Sequence, residues 1–114
     1  MEMDFSRLFK DAQKHPDAYG LNRRYREFVA FVNGCNSATA GHLLDGFPEH
    51  LAERLGSGGN LYWALLVAKL GVSPGEIRRV DDTSGEVEKQ IVSCLFAELL
   101  KFFESRDSGD VAVN

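Results

Sequence analysis

In the stretch TSGEVEKQIVSCLFAELLKFF, residues 83–103, an apolar side chain recurs at every fourth position: Val87, Ile91, Leu95, Leu99 and Phe103. Val92, Phe96, Leu100 and Phe102 flank that row. Together they make a broad apolar face about five turns long, the mark of a helix buried along its length. Thr83, with Glu86 three residues later, reads as a capping box that starts it. The rest of the chain repeats this helical grammar on a smaller scale. The expected architecture is all-α, a compact bundle of five to six helices.

Working back towards the N-terminus, Leu61 to Leu70 is apolar nearly all round and reads as a second central helix, closed by Gly71. Asn60 is placed to cap it. Between these two helices, Ser73-Pro74-Gly75-Glu76 forms another capping box, with proline at the first helical position, and predicts a short helix to about Val80. Phe5, Leu8, Phe9 and Ala12 form one stripe of a first helix, Asp4 to Lys14, capped by Asp4 and stopped by Pro16. A second helix is expected from a cap at Asn22, with Tyr25, Phe28, Val29 and Val32 buried and Gly34 closing it in a left-handed turn. A third, interrupted helical stretch covers His42 to Leu55, broken at Gly46, restarted at Pro48 and closed by Gly56. Cys35 to Gly41 is small and polar and carries no clear period. No strand alternation and no internal repeat is read.

The 114 residues are one ordinary domain, read as a single helical unit over 1–106 with a disordered tail over 107–114. Hydrophobic residues make up 44% and charged residues 26%, the proportions of a chain that folds around a core. The net charge of −4 argues against a general nucleic-acid binder and suits a basic protein partner. The start, Met1-Glu2-Met3-Asp4-Phe5, has no apolar signal region, and Leu61 to Ala68 is too short to span a bilayer. A cytoplasmic protein is expected, without membrane contact. Cys35 and Cys94 stand far apart and outside any CxxC spacing, so both are read as free, buried thiols.

The densest ionisable group is His42, Asp45, Glu49, His50 and Glu53. A metal centre needs three or four converging ligands, and here one His-x-x-Glu pair faces one way, so the favoured reading is a solvated helix face. Gly56-Ser57-Gly58-Gly59-Asn60 has the glycine content of a phosphate loop, but Leu61-Tyr62 follows where that chemistry needs Lys-Ser or Lys-Thr. No serine stands in a nucleophile elbow. Catalytic residues, metal and cofactor are therefore not expected, and the chain is read as a non-enzyme. Arg23, Arg24 and Arg26 form a short basic cluster, read chiefly as a solvated face and otherwise as a contact for phosphate or an acidic partner.

Two resemblances bear on function. Leu66 to Arg79 resembles a helix-turn-helix, with Gly71 in the tight turn and Val67, Val72 and Ile77 packing the pair. The resemblance implies DNA contacts through Ser73, Arg78 and Arg79; it departs from the pattern at Pro74 and Gly75, where base-reading side chains are usual, and at Asp81-Asp82, which repel phosphate. The second covers Phe28 to Gly34, Leu44-Asp45-Gly46-Phe47 and Asn60-Leu61-Tyr62-Trp63, which look like a group of small bacterial proteins. In being short, acidic and helical the chain is similar in type to immunity proteins of bacterial toxin systems. That likeness implies stoichiometric protein binding. The leading expectation is a protein-binding module whose basic partner meets Asp45, Glu49, Glu53, Tyr62, Asp81 and Asp82, with Trp63 and Phe47 in the core; the alternative is a DNA-binding regulator. The wide apolar face of the last helix leaves room for pairing with a second copy.

Overall fold

The computed structural model describes residues 4–59, 61–71 and 85–113, with side chains as far as Arg106. Among these residues there are five α-helices, one 3₁₀ turn and no strand. The helices are α1 (Phe5–Lys14), α2 (Tyr25–Ala38), α3 (Phe47–Leu55), α4 (Trp63–Gly71) and α5 (Gly85–Val113); the 3₁₀ turn, Pro16–Tyr19, follows α1. The all-α bundle expected from the periodicity is what the chain forms. Each of α1 to α4 packs on α5, and α3 packs also on α4.

The face that defined α5 in the sequence is the face the bundle buries. Ile91, Leu95 and Leu99 are fully inaccessible, and Phe96, Phe102 and Phe103 nearly so. The fully buried Phe9 of α1 inserts among Phe31, Phe96 and Phe103, with ring centroids 5.9, 6.4 and 5.8 Å away. From α3, Phe47 meets Trp63 and Phe102 at 5.7 and 5.3 Å. Gly71 lets α4 lie close on α5, since a Cβ there would stand 3.2 Å from the Ile91 Cα. Other helices of the same chain cover this inner row, while Val87, Val92 and Leu100 at its edges stay partly exposed. Among the described residues Tyr62 is the one large hydrophobic side chain that stands exposed.

Local signals hold at several helix ends. Asp4 caps α1 by accepting from the Arg7 amide at 3.1 Å. Gly56 ends α3 at φ 87°, the left-handed conformation that glycine adopts without strain. Other boundaries differ from the sequence reading, each for a visible reason. Asn22 does not cap α2; its side chain accepts from the Arg24 amide at 3.2 Å and closes a turn. The helix begins three residues later, at Tyr25, whose amide donates to Glu88 of α5 at 2.8 Å. The α2 cap is therefore tertiary, supplied from a residue 63 positions away.

Gly34 does not end α2 either. The helix continues to Ala38, and the left-handed turn falls on Ala40 and Gly41, at φ 56° and 85°. The first half of the expected stretch from His42 is a series of turns, not helix. Asn36 Oδ1 accepts from the Leu44 amide and Thr39 Oγ1 from the Leu43 amide, both at 2.9 Å. Arg106 donates to the carbonyls of Leu43 and His42 at 3.0 and 3.3 Å while its guanidinium lies 4.8 Å over the Phe102 ring. These bonds substitute for helical ones and direct Leu43 and Leu44 into the core. The bounds of α5 run through Val113, so they take in most of 107–114, for which composition predicts a tail. The expected short helix from Ser73, with Ser73, Arg78, Arg79, Asp81 and Asp82, and the caps at Asn60 and Thr83 lie outside the described residues. No described helix is long and apolar enough to cross a membrane.

Replacing Phe9 by Ala should lower stability by about 3–5 kcal/mol, because the vacated space is walled by four other rings, those of Phe5, Phe31, Phe96 and Phe103. Phe5→Ala, on a partly buried ring of the same helix, should cost clearly less. Denaturant unfolding of the two variants checks the ranking.

Candidate functional site

The geometry of α3 follows from its sequence. At about 100° per residue, Phe47 and Leu51 take the inner side, Glu49 and Glu53 the outer side, and His50 and Arg54 the flank between them. Phe47 and Leu51 are fully buried, and Glu49 and Glu53 are exposed. Asp45, just before the Gly46 cap, is exposed as well. Among the described residues the side chains of Asp45, Glu49 and Glu53 enter no ion pair and no hydrogen bond.

Arg54 and His50 of α3 turn the other way. Arg54 reaches Glu98 of α5 with Nε 2.9 Å from Oε1 and a terminal nitrogen 2.9 Å from Oε2. His50 Nε2 stands 3.1 Å from the same Oε1, and Lys101 Nζ 3.8 Å from Oε2. The Glu98 side chain is only 5% exposed, so a nearly buried carboxylate gathers both Arg54 and His50 of α3. Removing a charged acceptor of this kind strands its donors. His50, which the sequence placed with Glu53 on a solvated face, is instead partly buried against Glu98. His42 remains exposed and contributes its backbone carbonyl to Arg106. Among the described residues no three of His, Cys, Asp and Glu are grouped so as to hold a metal.

Tyr62 is half-exposed, at 50%, and its orientation is fixed. Asn33 donates from Nδ2 to the Tyr62 hydroxyl at 2.7 Å and accepts from Trp63 Nε1 at 3.2 Å. One amide therefore holds an outward ring and an inward ring together; Trp63 is buried, as its expected core role requires. In the glycine loop, Gly58 adopts φ 86°, and a Cβ there would come within 2.8 Å of Leu66 Cδ2. Packing against α4 accounts for that glycine.

Glu98 and Glu88 are the polar centres that sequence reading missed. Both carried a signal: at about 100° per residue they fall inside the arc spanned by Val87, Ile91, Leu95 and Phe96, not on the polar side. Glu88, 8% exposed, accepts from the Tyr25 amide and from Arg24 Nε at 3.1 Å. Of the basic cluster, Arg24 is held in this way, and Arg23 stands 3.6 Å from the exposed Asp17.

Both cysteines are free and partly buried. Burial raises the Cys35 thiol above its ordinary value. Burial, then the nearby Glu98 carboxylate, pushes Cys94 up to about 11. At pH 7 only roughly one Cys94 in ten thousand is a thiolate, so it has no nucleophile's character. Folding stability should respond with the matching sign. The Cys94 contribution is fully present below the ordinary thiol value of 9.0 and is lost as pH rises towards about 11. Iodoacetamide labelling followed by mass spectrometry should be slow at pH 7 on the native chain and fast after unfolding. Glu98→Gln should cost about 1.5–3 kcal/mol, against less than about 0.5 kcal/mol for Glu53→Gln, by denaturant unfolding. The chain matches no protein-family model, no curated protein and no solved structure.

Proposed function

We propose that this chain is a non-enzymatic protein-binding domain that captures a basic partner on the outer face of α3, in the manner of a toxin-neutralising immunity protein. The observation that carries this reading is the unpaired acidic row. Among the described residues the exposed carboxylates of Asp45, Glu49 and Glu53 enter no ion pair, while Arg54 and His50 of the same helix turn inward to Glu98. Surface acids normally stand among bases of opposite sign. A row left bare projects a negative field that speeds encounter with a positive surface and excludes acidic competitors. The net charge of −4 acts in the same direction at longer range.

Tyr62 adds a rigid, amphipathic ring of the kind that anchors interfaces at low entropic cost. Asp81 and Asp82 extend the acidic set in the sequence. A role as a stoichiometric inhibitor asks nothing more of the chain than a preformed complementary surface, and it needs no convergent catalytic groups.

The double variant Glu49→Lys/Glu53→Lys tests the reading. Both side chains are exposed, so its thermal midpoint should match that of the parent. Used as bait in the source cell's lysate, the parent should retain a basic protein in one-to-one ratio, and the variant should lose it. The purified partner's own activity should be abolished by one equivalent of parent chain and spared by the variant. Equal retention by both baits would remove the α3 face from the argument.

A further inference from the structure

We propose that a groove at the other end of the α5 contact face is a binding site for a small organic anion, a phosphate or carboxylate joined to an apolar body. The groove lies between the Pro16–Tyr19 turn, the start of α2 and the first turns of α5. It encloses about 580 Å³, a volume typical of small-molecule sites. It is set about 15 Å along α5 from the Glu98 cluster, judged by the ten residues separating Glu88 from Glu98.

Its apolar wall is made by Pro16, Phe28 and Val92, and its mouth carries Arg23, Arg24 and Lys89. Pro16 and Phe28 are themselves buried and Val92 is partly exposed, so the apolar surface that the groove offers centres on Val92. The three cations are differently prepared. Arg24 is positioned: its Nε is held by Glu88, while its two terminal nitrogens make no hydrogen bond among the described residues. Arg23 and Lys89 are 66% and 78% exposed, and their partners Asp17 and Glu86 stand at 3.6 and 3.4 Å, also in solvent. Ion pairs of that kind contribute little and exchange readily. An incoming anion can therefore recruit both without breaking a buried contact.

The one carboxylate in the lining, Glu88, is already met by the Arg24 guanidinium and the Tyr25 amide, so its charge is locally answered. Charge at the mouth and apolar surface at the wall select for a ligand with both properties. Inorganic phosphate would satisfy only the first and benzyl alcohol only the second.

The test is an amide chemical-shift titration of the full chain with phenyl phosphate, benzoate, inorganic phosphate and benzyl alcohol. Saturable shifts at Arg23, Arg24, Phe28 and Val92 are expected with the aromatic anions, and the tighter of the two names the anionic group. Inorganic phosphate and benzyl alcohol should bind about tenfold or more weakly. Arg23→Ala/Lys89→Ala alters only exposed side chains, so it should keep the thermal midpoint and weaken the aromatic anion about tenfold or more. Val92→Asp, which places a carboxylate in the wall, should abolish binding independently. Absence of saturable shifts at millimolar aromatic anion, shifts confined to another surface, or undiminished binding in the double variant would each overturn the proposal. Equal affinity for phenyl phosphate and inorganic phosphate would overturn its apolar half.

Discussion

Two carboxylates inside an apolar helix face set the terms for the rest of this molecule. An ionised side chain buried without partners is prohibitively costly, so Glu88 and Glu98 can occupy the inner arc of α5 only if other elements bring donors to them. Arg24 and the first amide of α2 answer Glu88; His50, Arg54 and Lys101 answer Glu98. Ring contacts such as Phe28–Phe96 and Phe47–Phe102 already hold α2 and α3 against α5. The two acids add a directional requirement to that packing, of the kind by which a buried polar residue can specify alignment in a coiled coil.

That arrangement also links the interior to the surface. α3 carries acids and bases in nearly equal number, and a helix so composed would ordinarily present a mixed face. Glu98 sorts them. By holding His50 and Arg54 on the flank it leaves Glu49 and Glu53 as the outward charge. A nearly buried residue thereby shapes what a partner would meet.

The fold was legible wherever a single helix carried its own evidence. The four-residue recurrence from Val87 to Phe103, the inner face of α2 and the glycine after α3 all read correctly, because helical period and left-handed turns are local properties. The errors fall where distant residues supply the bonds. Asn22 is a good cap by composition, yet α2 waits for Glu88. Gly34 is a good stop, yet the helix passes through it, because the turn is made by Ala40 and Gly41 and the connector is held by Asn36, Thr39 and Arg106. The acidic row on α3 was legible as a solvated face. The inward turn of Arg54 was not, since its acceptor Glu98 lies 44 residues further on.

The order of the elements along the chain gives the α2 cap a temporal meaning. Its acceptor is made 63 residues after its donor. A growing chain therefore has α1 to α4 in hand, with Phe9, Tyr25, Phe47 and Leu66 all bare of their final cover, before α5 is synthesised. Those helices can form only fleetingly in that interval, since short isolated helices are marginal in water. Completion of α5 would then close the contacts of all four helices with it, leaving only those such as α3 on α4 to form earlier. An exposed apolar segment of this kind is what chaperones shield during synthesis.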